Sequence, residues 1–176
     1  MTKAIGELMI NDYTRKGFID GRAARLPTVI IRPGPPNAAA SGVASGVFRE
    51  PLAGNEFVLP VGMGTKMMVL GTRNAVAGLI GLMDADGDAL GGDRMVGLPN
   101  NAYSVAEMIT ALEAVAADKG ISLGPITPRP DPATETIVTS WPLVMDDARA
   151  RALGLPADES LERVIGDYIE DFGTGQ

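Results

Sequence analysis

Leu26-Pro27-Thr28-Val29-Ile30-Ile31 carries the strongest indication of fold class in this sequence. The run is short, rich in β-branched residues and almost wholly apolar, so it lacks the polar alternation of a strand with one face in water. Such a strand is typical of a parallel sheet that helices cover on both faces. The preceding segment, roughly residues 1–16, has apolar side chains at the spacing of one helical face. Because a helix followed by a buried strand is half of a β-α-β unit, the sequence predicts an α/β fold.

The N-terminal helix is predicted to begin without a capping residue of its own. A helix normally starts just after Ser, Thr, Asp or Asn, often with Glu or Gln three positions later. Thr2 is the only candidate for this cap, and Ile5 three residues on offers no reciprocal contact. The pattern favours the hypothesis that the chain is the second half of a larger enzyme, interrupted inside a helix.

The rest of the chain predicts further alternation of helices and strands. The clearest helix is 104–119, where Ser104 and Glu107 form a capping box and Gly120 stands at the C-terminal stop. Other helices are predicted at 38–52, 74–83, 146–153 and 158–172. Strands are predicted at 57–61, 66–70, 94–98 and 136–141, with the Gly-Met-Gly turn at 62–64 joining the first two as a hairpin and a proline-rich connector at 124–133.

Composition restricts the chemistry that this chain can perform. Its 176 residues include no Cys and no His, which excludes a catalytic triad, a thiolate nucleophile and a His-based metal site. Any chemistry must come from Lys, Tyr, Asp, Glu, Ser or a bound cofactor, and no metal is expected. The net charge of −7 argues against a nucleic-acid partner, and no apolar run approaches a membrane span. A cytoplasmic setting fits the absence of Cys.

Three short motifs are better explained as structural features than as functional sites. Gly62-Met63-Gly64-Thr65-Lys66 lacks the spacing of a phosphate loop, and an apolar strand rather than a helix follows it. Asp84-Ala85-Asp86-Gly87-Asp88 resembles the start of a calcium loop, but Ala89 replaces the required Gly, so a solvated acidic turn is expected. Tyr13 and Lys16 are three residues apart, whereas a catalytic Tyr–Lys pair on a helix needs four.

Two segments resemble a known enzyme family. The stretches 3–21 (KAIGELMINDYTRKGFIDG) and 25–41 (RLPTVIIRPGPPNAAAS) closely resemble the extended short-chain dehydrogenase/reductases, also called NAD-dependent epimerase/dehydratases. Within this family they are most similar to the D-erythronate dehydrogenase-like subgroup, and Phe48-Arg49-Glu50-Pro51-Leu52 also fits it. The resemblance runs from Lys3 to about Phe172. It implies that residues 1–176 are the C-terminal half of such a domain, with late sheet strands and a small substrate-binding α/β subdomain, lacking the N-terminal nucleotide-binding half.

The resemblance also assigns site residues. Lys3 matches the lysine of the family's Tyr-x-x-x-Lys motif, which holds the nicotinamide ribose and lowers the pKa of the catalytic tyrosine. Its tyrosine would lie four positions earlier, before Met1, and the family's glycine-rich NAD loop would lie further upstream. Pro33 and Gly34 match the backbone beside the nicotinamide of NAD. The residues matched to the substrate pocket are Asn37, Ser45, Arg49 and Arg73, and an arginine is suited to a carboxylate because its planar fork makes two hydrogen bonds.

These matches imply the substrate-binding half of an NAD-dependent oxidoreductase that acts on a small hydroxy acid or sugar acid. The isolated chain is expected to be inactive and to bind NAD poorly. A homodimer through the N-terminal helix is a further expectation, with an apolar face at Met1, Ile5, Leu8 and Met9. Two alternatives stay open: a fragment of a nucleotide-sugar epimerase or dehydratase, and a non-catalytic oligomerisation or ligand-binding remnant.

Overall fold

The computed structural model describes residues 2–35 and 39–174. The helices, in chain order, are α1 (Thr2–Arg15), α2 (Val43–Leu52), α3 (Thr72–Asp84), α4 (Gly87–Leu90), α5 (Val105–Lys119), α6 (Pro132–Thr139), α7 (Ala148–Ala152) and α8 (Leu161–Phe172). The strands are β1 (Ala23–Arg25), β2 (Thr28–Ile30), β3 (Phe57–Leu59), β4 (Lys66–Gly71), β5 (Met95–Gly97), β6 (Asn101–Ser104) and β7 (Ile126–Pro128). A 3-10 turn at Ala40–Gly42 leads into α2. The predicted α/β fold is confirmed.

Parallel pairing dominates the short sheets of the described residues. β2 pairs in parallel with β4, placing Thr28 opposite Val69 and Ile30 opposite Gly71, and β4 pairs antiparallel with β6. β1 pairs with β5 and β3 pairs with β7, both in parallel. Because parallel strands share a direction, the carboxyl ends of β2 and β4 lie at one edge of their sheet.

The main core lies where α2 and α5 pack together and α8 closes over α5. Phe48, Met108, Leu112 and Ile165 are all completely buried there. The helix predicted at 104–119 is confirmed as α5, and its residues Val105, Met108, Leu112 and Val115 all face this core. A second, smaller cluster joins α3, β5 and α7. This core fixes α2, and through it the residues described below.

The capping box of α5 gives the chain a pH-dependent contact. The Ser104 backbone N–H and hydroxyl donate to Glu107 Oε2 at 2.6 and 2.7 Å, and these hydrogen bonds hold the pKa of Glu107 below its usual 4.5. A carboxylate with a lowered pKa contributes stability above that value and loses it as the pH falls. Glu107→Gln should therefore destabilise the chain at neutral pH and have progressively less effect well below pH 4.5. Urea unfolding across this range measures it, and a constant difference at all pH values would contradict it.

Two predicted elements are wrong. No hairpin joins the strands around residues 62–64, because β3 pairs with β7 and β4 pairs with β2 and β6. Residues 136–139 of the strand predicted at 136–141 lie instead in α6, and Ser140 caps the end of that helix. Asp131 caps that helix by accepting from the Thr134 backbone N–H at 2.9 Å, and Pro132 fits its first turn. These start signals outweigh the β-branched residues that suggested a strand.

The chain exposes large apolar side chains on two helices and has an open strand edge. None of the described residues of α1 is buried, and Ile5, Leu8 and Met9 are each at least half exposed. On α3, the large apolar side chains of Val76, Leu79, Ile80 and Met83 are all exposed. Within the described residues β2 has a strand neighbour on only one side, so Thr28 and Val29 are half-buried rather than buried on both faces as predicted. None of the described helices is long and apolar enough to cross a membrane.

Candidate functional site

The turn that follows β2 is held by two side chains of helix α2. Ser45, which is 1% exposed, accepts a hydrogen bond from the Arg32 backbone N–H at 3.1 Å. Arg49 Nη1 donates to the Arg32 carbonyl at 3.1 Å. Both polar groups of the Arg32 backbone are therefore bonded, which fixes the position from which Pro33 and Gly34 leave the sheet. Gly34 has a φ of +98°, a conformation that favours glycine.

A cavity of about 460 Å³ opens beside this turn, between α2 and β3. Its lining includes Arg32 and Pro33 from the turn, Arg49 and Glu50 from α2, and Phe57 from β3. The volume lies within the range of small-molecule sites in proteins, and a few polar groups among apolar walls are typical of such sites. The cavity is thus a candidate ligand site at the carboxyl end of a parallel strand.

Gly46 lets the aromatic wall of this cavity approach α2. A Cβ atom at Gly46 would lie 2.6 Å from Cε2 of Phe57, so one of the two would have to move. Gly46→Ala should lower the free energy of unfolding by about 1–3 kcal/mol, the usual effect of overpacking. Gly6→Ala is the matched control, because Gly6 is also helical but has open space around it, and there alanine should stabilise by about 0.5–1 kcal/mol. Chemical denaturation measures both, and a Gly46→Ala chain as stable as wild type would contradict the packing argument.

The two arginines at the cavity differ in their partners. Arg49 Nε and Nη2 both lie 2.8 Å from Glu50 Oε1, so this guanidinium is neutralised by a neighbouring carboxylate. Arg32 has no carboxylate within ion-pair distance among the described residues. Its Nη2 makes only long contacts of 3.4 and 3.5 Å to the Ser41 carbonyl and hydroxyl, and its buried Nε has no hydrogen-bond partner there. The sequence prediction named Arg49 and missed Arg32.

The remaining residues matched to the substrate lie elsewhere. Ser45 does not line the cavity but supports the turn from behind. Arg73 binds Asp167 at 2.6 Å and Asp171 at 2.7 Å, together with Glu170, all on α8. The hydrogen bond to Asp171 is the main cause of a raised pKa at Arg73, and the contacts tie α3 to α8. Asn37 lies outside the described residues.

Lys3 lies on the first turn of α1 and is exposed. Its ammonium has neither a hydrogen bond nor an ion pair with any residue that the structure describes, whereas Lys16, just beyond the same helix, pairs with Asp12 at 2.7 Å. The Lys3 side chain is thus available to a group outside these residues. Across 2–35 and 39–174, no cluster of three His, Cys, Asp or Glu side chains could hold a metal ion.

Comparison with known proteins connects this geometry to a family. No family model matches the chain. The D-erythronate dehydrogenase of Cupriavidus necator is 45% identical over 174 residues, which are 99% of this chain and 53% of that protein. The D-erythronate dehydrogenase of Haemophilus influenzae is 38% identical over 96% of this chain and 53% of its own length. A crystal structure of the nucleoside-diphosphate-sugar epimerase from Agrobacterium tumefaciens superimposes with a TM-score of 0.90 and 41% identity, covering 99% of this chain and 50% of that one.

The chain is a homologue of these dehydrogenases and epimerases. It matches the C-terminal half of their Rossmann-type fold and spans about half the length of the curated relatives it matches. The resemblance to the epimerase/dehydratase family, and to its D-erythronate dehydrogenase-like subgroup, is thereby confirmed. For this epimerase/dehydratase homologue, the roles of Lys3, Pro33, Gly34, Asn37, Ser45, Arg49 and Arg73 stay predictions.

Proposed function

We propose that this chain forms the substrate-binding half of an NAD-dependent dehydrogenase that oxidises a small hydroxy acid. The supporting observation is the 45% identity over nearly the whole chain to a D-erythronate dehydrogenase. The cavity beside Arg32 and Arg49 has a size and polarity suited to a small sugar acid. In the complete enzyme a hydride leaves the carbinol carbon of the substrate, and the hydroxyl proton passes to a tyrosinate.

Under this proposal, residues at the edge where β2 ends would hold part of a dinucleotide. NAD, when bound, supplies the acceptor for the hydride. The uncontacted Lys3 ammonium would hold the ribose hydroxyls and, by its positive charge, favour the ionised form of the tyrosine. Pro33 and Gly34 are exposed just after β2 and would form the backbone wall beside the nicotinamide. Ser45 and Arg49 would keep that wall in place through Arg32.

The half of the relatives that this chain does not span would cover the exposed apolar surfaces. The open edge of β2 suits another parallel strand, and the apolar faces of α1 and α3 suit the flanks of a nucleotide-binding half. A homodimer through Ile5, Leu8 and Met9 of α1 competes for part of this surface. Localisation in the cytoplasm belongs to the same proposal.

A chimera tests the proposed function. The N-terminal portion of the C. necator dehydrogenase, up to the residue that aligns with Met1, is fused to this chain, and NADH formation is followed. We expect oxidation of D-erythronate by the chimera and neither turnover nor measurable NAD binding by the chain alone. Because the A. tumefaciens relative is an epimerase, UDP-sugars are assayed in parallel. Epimerisation of UDP-sugars without oxidation of four-carbon acids would favour the alternative, and inactivity toward both would favour a non-catalytic module.

A further inference from the structure

We infer that Arg32 binds the carboxylate of the substrate, an inference that deepens the proposed function and rests on it for the identity of the acid. Arg32 was not among the residues matched to the substrate pocket. It is the cation at the end of β2 that lines two adjacent cavities, the one beside α2 and a second of about 480 Å³ beside Trp141. A ligand in either cavity would lie beside Arg32.

The hydrogen-bonding state of Arg32 supports this role. A guanidinium has five N–H donors, and a buried donor without a partner is unfavourable. Within the described residues the side chain of Arg32 has an unpaired, buried Nε and makes only the two long contacts to Ser41 through Nη2. A carboxylate in the cavity would accept from Nη1 and Nη2 together, in the paired geometry that arginine forms with planar anions. The outer nitrogens of this guanidinium therefore retain N–H donors for a small acid.

The other charged side chains at the cavity already have partners, so Arg32 is the one we expect to bind the carboxylate. Arg49 and Glu50 neutralise each other through contacts of 2.8 Å, and Arg49 is also used to hold the Arg32 carbonyl. Glu56 also lines this cavity, but it is exposed and accepts from the Thr127 hydroxyl at 2.6 Å. Glu50 lies beside the same cavity and offers a carboxylate oxygen to substrate hydroxyl groups. The combination favours a monocarboxylic acid that also carries hydroxyls.

The backbone of Arg32 is held at the end of β2 by two hydrogen bonds. Its N–H and C=O are both bonded to α2, so the guanidinium is anchored at the strand end rather than on a free loop. Such anchoring reduces the conformational entropy lost on binding. Arg73, by contrast, is occupied by the carboxylates of α8 and lies outside both cavities.

Binding of small acids to the chain itself tests this inference. NMR titration of the wild-type chain with D-erythronate, D-glycerate and the uncharged erythritol should give saturable shifts for an acid and none for erythritol. Arg32→Met should weaken acid binding about tenfold or more, since hydrogen bonds to charged groups contribute about 1.5–3 kcal/mol. Arg32→Lys keeps the charge but loses the fork, so its affinity should fall between the two. Arg25→Met is the matched control, because Arg25 is exposed on β1 and pairs with Glu7.

Each outcome bears on a different claim. Unchanged D-erythronate affinity in Arg32→Met, or no acid binding by the wild-type chain, would overturn the role of Arg32. Arg32-dependent binding of D-glycerate but not D-erythronate would support that role and count against the proposed substrate. If Arg32→Met does not unfold cooperatively, Arg32→Lys decides the question, and its affinity should then be lower than that of wild type while Arg25→Met is unchanged.

Discussion

In the chimeric enzyme, Lys3→Met should lower kcat by about a hundredfold or more, the size of effect expected when general acid–base catalysis is impaired. The Lys3 ammonium is exposed on α1 and has no partner among the described residues, so its proposed task is to favour ionisation of a tyrosine one helical turn earlier. Loss of this charge should also raise the pKa of that tyrosine. The alkaline rise of the rate should then move to higher pH.

Lys16→Met is the control for this experiment. Lys16 follows the same helix, but its ammonium already pairs with Asp12 at 2.7 Å. We expect its kcat and pH profile to match those of the unmodified chimera. A Lys3→Met chimera with an unchanged rate and profile would remove Lys3 from the catalytic machinery, whatever acid the enzyme oxidises.

The second large effect is on stability: Phe48→Ala should lower the free energy of unfolding by about 3–5 kcal/mol. Phe48 is completely buried in α2 at the centre of the main core, and its removal leaves a void that the closely packed neighbours cannot fill. Domains have a total stability of about 5–15 kcal/mol, so this substitution would remove a large share of the free energy of unfolding. Chemical denaturation with near-UV circular dichroism measures the loss.

Phe18→Ala provides the comparison for Phe48. Phe18 is 68% exposed and contacts the Tyr13 ring edge-on, with ring centroids 5.7 Å apart. Its replacement should cost at most about 1.5 kcal/mol, the upper end for an aromatic pair. Equal losses at the two positions would mean that α2 is not packed as the structure describes.

The fold class could be predicted because local signals agree with the tertiary environment. In α5 the capping box, the apolar spacing and Gly120, with a φ of +66°, all indicate the same helix. In residues 136–141 the local sequence signals conflict, since β-branched residues suggest a strand while Asp131 and Pro132 begin a helix. β7 was not predicted within the proline-rich segment, because its pairing with β3 depends on a distant part of the chain.

Of the candidate site, only the turn that follows β2 could be predicted from the sequence. Residue spacing and family resemblance located Pro33 and Gly34 at the end of β2. Neither revealed that Glu50 neutralises Arg49 or that α8 occupies Arg73, because these depend on which carboxylates the fold brings within contact. A signal for Arg32 was present in its position directly after the strand, where ligand contacts are common in parallel sheets.

Helix α2 both holds the turn after β2 and forms one wall of the cavity. One side of it holds the Arg32 backbone through Ser45 and Arg49, and the same helix presents Gly46 to Phe57. A larger residue at position 46 would press on Phe57, and any shift of α2 that relieved this contact would also move Ser45 and Arg49. If Arg32 binds the acid group as proposed, the width of the cavity and the position of that guanidinium are linked through α2, and variants selected for a shorter or longer acid should also carry changes on the facing strand β3.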